Sequence, residues 1–188
     1  MRLKTCMRAA CLAVSLVLGG AGAVLAHALP GSVLIFSHKD EDLRLVISFP
    51  LEDLMVASSE FETWEGALVN ENLTPAQLAQ ITDYFAQHVA ITHAGEALPL
   101  MLTDAVLRYD QNADVGLYVC LVATMAAPLA QGEPVFPLVL TYDALMHEIR
   151  SHRADVYWRD SAGMDKHLAN FGFRRVDGQP RPIELLAP

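Results

Sequence analysis

The amino-acid sequence predicts a mainly β protein: an antiparallel β-sandwich of about eight short strands with one inserted amphipathic helix over residues 74–89. Three observations carry this expectation. Short apolar runs recur along the chain, some with every second residue polar, and turn residues divide them. Only the segment opening at Thr74-Pro75 spaces its apolar residues as a helix does. No repeat, low-complexity tract or interdomain linker divides the chain, so one domain is expected.

The first element is a leader. Arg2, Lys4 and Arg8 precede an apolar stretch from Ala9 to Leu25, which closes on Val24-Leu25-Ala26-His27-Ala28. A basic start, an apolar centre and a small-residue exit describe a secretory signal peptide, residues 1–26, with cleavage after Ala26 or after Ala28. The expected location is the periplasm. Residues 27–175 then form a single β-rich domain, and 176–188 a C-terminal coil.

Within that domain Val33–Ser37 reads as a strand and His38–Asp42 as a polar turn. Leu43, Leu45, Ile47 and Phe49 alternate with Arg44 and Ser48, the pattern of a half-buried strand. Pro50 ends it, and an irregular passage follows through Phe61 and Trp64. Thr74 supplies an N-cap hydroxyl and Pro75 a first helical residue whose missing N–H costs nothing. Leu78, Ile81, Phe85 and Val89 then form one apolar stripe.

The remaining signals are β-like. Ala90–His93 and Leu98–Tyr109 flank a turn at Ala94-Gly95-Glu96, and Leu117–Met125 is a buried strand. Its neighbourhood, Val115 to Gly132, is uncharged, but Gly116, Pro128 and Gln131 argue against a membrane span. Val135–Tyr142, His152–Trp158 and His167–Arg174 complete the set. From Asp177 onward three prolines suggest surface coil.

Composition removes some classes of partner. Without residues 1–26 the chain keeps 162 of its 188 residues, and losing three of 13 basic residues leaves ten against 22 acidic, a net charge of −12. Such a surface lacks the clustered Lys and Arg that neutralise phosphates, so a nucleic-acid partner is excluded. Docking on an anionic membrane is disfavoured for the same reason. Cys6 and Cys11 lie in the leader. Cys120 is then alone and reads as a buried structural thiol.

Catalytic signatures are absent: there is no Gly-x-Ser-x-Gly elbow, phosphate loop or dinucleotide fingerprint. His147-Glu148 opens like a zinc-protease motif, but the next histidine, His152, falls five residues on instead of four. The sequence therefore predicts a non-enzymatic protein. Seven histidines are scattered along it, and His27 stands out. Cleavage after Ala26 would make it the amino-terminal residue, whose amine and imidazole together chelate copper(II) or nickel(II). His147 or His152 is the candidate third ligand. The densest polar stretch runs from Tyr142 to Arg153, and Tyr142, Asp143, Arg150 and Arg153 are its candidate partner or ligand surface.

His27-Ala-Leu-Pro-Gly-Ser32, Pro50-Leu-Glu-Asp-Leu54 and the stretch Tyr142–His152 resemble the exported amino-terminal domain of HupE/UreJ-type membrane proteins. These are hydrogenase and urease accessory proteins associated with nickel or cobalt uptake. The resemblance covers roughly His27 to Arg174 and does not include that family's bundle of apolar helices. It implies a free-standing periplasmic version of the domain that partners a separate inner-membrane protein. The leading expectation is thus an exported binding or accessory domain serving an inner-membrane transporter. The alternative is a periplasmic copper- or nickel-binding protein built on His27.

Overall fold

The structure, a computed structural model, describes residues 30–188 apart from 68, 70, 130 and 131. The leader and His27 lie outside the described residues. Two sheets dominate. Strands β1 (Ser32–Lys39), β2 (Asp42–Pro50), β5 (Met101–Asn112), β6 (Gly116–Pro128), β8 (Arg153–Arg159) and β9 (Asp165–Gly172) form a six-stranded sheet ordered β5-β6-β2-β1-β8-β9. Strands β3 (Val89–His93), β4 (Glu96–Ala97), β7 (Leu138–Tyr142) and β12 (Ile183–Leu185) form a second, ordered β12-β7-β3-β4. β10 (Arg175–Val176) and β11 (Gln179–Pro180) make a small separate hairpin.

The period-two pattern does what the sequence predicts. Leu34 and Phe36 of β1 and Leu43, Leu45, Ile47 and Phe49 of β2 are buried, and residues between them are half-buried. They share one core with Ile91, Leu138, Leu140 and Leu185 of the other sheet, the arrangement of a β-sandwich. Burying a side chain of this size contributes about 1.5–3 kcal/mol. Cys120 is buried in β6, where desolvation and then the nearby Asp110 push its thiol up to about 11.

The helix is capped as expected. We label α1 the helix Leu51–Ala57 and α2 the helix Pro75–His88. The Thr74 hydroxyl accepts from Gln77 N–H, while the Gln77 side chain accepts from Thr74 N–H, a complete capping box. α2 buries Ile81, Tyr84 and Phe85 and leaves Leu78 half-buried at the edge of the core. None of the helices among the described residues is long and apolar enough to cross a membrane.

The structure departs from the sequence reading in several places: the described residues form twelve strands where about eight were expected, and Val89, expected in the helix 74–89, opens β3 because it pairs with Tyr142. The passage after Pro50 is ordered as α1 and a 3-10 helix, Ser59–Trp64, both too short to show periodicity. Glu52 and Asp53 in the first turn of α1 favour it through the helix dipole. One pairing within the sandwich, β1 with β8, is parallel, with Ser32 opposite Ala154. The expected coil of 176–188 contains β12, whose Leu185 is buried against β7 and repays the ordering of a proline-rich tail.

Gly31, just before β1, runs close against the first residue of β8. A methyl group there would fall on the carbonyl oxygen of Arg153. Gly31→Ala is therefore expected to destabilise the fold by about 1–3 kcal/mol, read as a lower Tm in thermal unfolding. An unchanged Tm would contradict this packing.

Candidate metal centre

Strand register brings the site together. Val89, the first residue of β3, pairs with Tyr142, the last of β7. The residues just outside that antiparallel pair, His88 and Asp143, must then face each other across the same ladder. The Asp143 N–H donates to the His88 carbonyl at 3.1 Å, and His88 Nδ1 lies 2.8 Å from Asp143 Oδ1. Beyond Asp143 the chain takes a helix-like turn in which His147 N–H donates to the Asp143 carbonyl at 3.1 Å. That turn carries the His147 ring over His88: the two imidazoles stack with centroids 4.1 Å apart and planes 15° apart.

Tyr84, one helical turn before His88, supports both rings. Its ring lies 4.6 Å from that of His88, and its hydroxyl accepts from Leu145 N–H at 2.9 Å. Burial raises the Tyr84 pKa well above its usual value, so the hydroxyl stays neutral. Burial also lowers the His88 pKa; the Asp143 carboxylate opposes this and His147 adds to it. A neutral imidazole is the metal-binding form.

His88, Asp143 and His147 each offer a ligand atom, and these atoms lie within 4.8 Å of one another. Two imidazoles and a carboxylate suit a divalent first-row metal. A cavity of about 310 Å³ opens beside the histidines, bounded also by Ser58, Glu60 and Gln87.

A second cluster occupies the loop's far end. Buried Tyr142 donates its hydroxyl proton to Ser32 Oγ at 2.7 Å, and Ser32 Oγ lies 2.8 Å from His152 Nε2. His152 Nδ1 lies 3.0 Å from Asp53 Oδ2. Since the carboxylate only accepts, Nδ1 carries the proton, Nε2 accepts from Ser32, and donation runs one way from Tyr142 to Asp53. The serine, histidine and aspartate match a hydrolytic triad atom for atom. Ser32, however, has no solvent exposure and already accepts from Tyr142. The chain acts as a clamp on α1, β1 and both ends of the loop 143–152.

The residues singled out in the sequence separate into different places. His147 joins His88 and Asp143, whereas His152 belongs to the clamp with Ser32 and Asp53; His27 lies outside the described residues. Of the expected partner surface, Tyr142 and Asp143 are buried, because one ends a core strand and the other caps the site. Arg150 lies over the Phe173 ring at 5.5 Å, and Arg153 donates to Asn170 Oδ1. His88, Ser32 and Asp53 were not among the expected site residues. The spacing of Asp143 and His147 at i, i+4 is the one local signal of the centre. A scan of protein-family models and a search of curated proteins find no match to the chain. Fold and site together define a β-sandwich protein with a histidine–carboxylate cluster.

The clamp makes a quantitative prediction. Ser32→Ala strands the Tyr142 hydroxyl and His152 Nε2 in the core and should cost about 1–3 kcal/mol. Tyr142→Phe removes one donor and should cost about 0.5–1.5 kcal/mol. In urea unfolding the double variant should lose less than the sum of the two. Strict additivity would show that the two hydroxyls do not act together.

Proposed function

We propose that this protein is an exported, non-catalytic accessory domain that binds one divalent first-row metal ion at the His88–Asp143–His147 cluster. One observation carries the reading: three potential ligands from α2 and the loop after β7 converge within 4.8 Å, beside a cavity that admits an ion. Two nitrogens and an oxygen favour copper(II), nickel(II) or zinc over magnesium or calcium, which prefer all-oxygen sites. Structural zinc sites are closed by four protein ligands. A cluster with three candidate ligands beside an open cavity suits an ion that is taken up and passed on. The basic, apolar leader supports export. The resemblance to HupE/UreJ-type exported domains makes nickel the first cargo to try and an inner-membrane transporter the proposed recipient. In this reading His27 is not required.

The test is calorimetric titration of the chelator-stripped protein with nickel, copper and zinc salts. The expected result is one equivalent bound by at least one of these metals. His88→Ala and His147→Ala should each weaken binding at least about tenfold, with circular dichroism unchanged. Equal binding by both variants, or none by the unaltered protein, would overturn the proposal.

A further inference from the structure

We propose that the ion sits on the Nε2 atoms of His88 and His147, that Glu60 of the same cavity supplies the carboxylate ligand, and that Asp143, the third member of the cluster, positions the rings without touching the metal. This rests on the metal-binding reading above and assigns the roles within it.

The tautomers follow from the acceptors. His88 Nδ1 faces a carboxylate oxygen, Asp143 Oδ1, at 2.8 Å. His147 Nδ1 faces the main-chain carbonyl of the same residue at 3.2 Å. Neither oxygen can donate, so each Nδ1 carries its hydrogen and each Nε2 keeps a free lone pair. One residue thus fixes both rings in the same tautomer, the arrangement by which buried carboxylates orient metal-binding histidines.

Asp143 is already committed. Oδ1 accepts from His88, and the Arg175 guanidinium lies 3.5 Å from Oδ2. The residue is buried, and the cavity beside the two imidazoles is not lined by it. The imidazoles therefore stand between Asp143 and the space an ion would enter. An ion in that cavity meets the imidazoles before Asp143.

Glu60 has the opposite character. It lines that cavity together with His88 and His147, is exposed, and has no ion-pair partner among the described residues. Its backbone is nevertheless fixed from the helix that carries His88. Gln80 Nε2 donates to the Glu60 carbonyl at 3.2 Å, and Gln80 Oε1 accepts from Trp64 Nε1 at 3.0 Å. Glu60 is thus the carboxylate of that cavity left free to turn onto an ion. Each Nε2 lone pair lies in its ring plane, so metal–nitrogen bonds of about 2.0–2.1 Å to one ion require the two imidazoles to turn out of their 15° stack.

Two measurements on the full folded protein test the assignment. Long-range proton–nitrogen spectra of the metal-free protein should show His88 and His147 protonated at Nδ1. Zinc should then shift the Nε2 signals and leave the Nδ1 protons in place. Asp143→Ala should release the His88 tautomer, and Asp143→Asn, which retains an acceptor, should restore it. In parallel, Glu60→Gln, an exposed and conservative change, should weaken zinc binding at least about tenfold without altering the metal-free spectrum. Protonation at Nε2, a zinc shift centred on Nδ1, or unchanged affinity in Glu60→Gln would overturn these roles while leaving metal binding standing. An unaltered protein that binds no metal would instead overturn the reading on which they rest.

Discussion

Four side chains far apart in sequence meet in one line of hydrogen bonds, Tyr142 to Ser32 to His152 to Asp53, and the geometry of the site depends on that line. Tyr142 and His152 bracket the loop that carries Asp143 and His147. Ser32 starts β1, and Asp53 sits in the first turn of α1. Each member is satisfied in a low-dielectric interior, where an unpaired polar group is costly, so the line forms as a unit. No buried side-chain polar atom among the described residues lacks a hydrogen-bond partner. A loop fixed at both ends can hold a histidine half-exposed without losing its orientation. That is the condition for a preorganised binding site.

The same economy governs the two stacked imidazoles. The β3–β7 register places His88 opposite Asp143, and a single turn returns the chain to place His147 beside it. Asp143 then uses its side chain for one ring and its main chain for the other. The Arg175 guanidinium, itself 5.6 Å from the centre of the Phe173 ring, neutralises the second carboxylate oxygen. Burial lowers the His88 pKa against the pull of the Asp143 carboxylate, which favours the neutral, metal-binding form of the imidazole.

Local physics made much of the fold legible. Alternation in Leu43–Phe49 marked β2, and the Thr74-Pro75 cap marked the start of α2 to the residue. What local pattern cannot carry is pairing over distance. The parallel union of β1 with β8 spans more than a hundred residues, and it alone brings Ser32 to His152. His88 and Asp143 are 55 positions apart and meet only through strand register. The Asp143–His147 spacing was visible, but a pair at i, i+4 becomes a site only when a third group arrives. β12 carries no local signal because three residues beside prolines show no period, although Leu185 is held by the core.

If the buried line holds the site loop in place, cutting it should loosen that loop before the rest of the sandwich. Amide hydrogen exchange in Ser32→Ala tests it most directly. The amides of Leu145, His147 and Ile149 are hydrogen-bonded within the loop or to Tyr84. They should lose protection about tenfold more than those of Leu121 and Ala123 in β6. Equal loss at both places, or an unchanged loop, would show that the loop keeps its shape without the clamp.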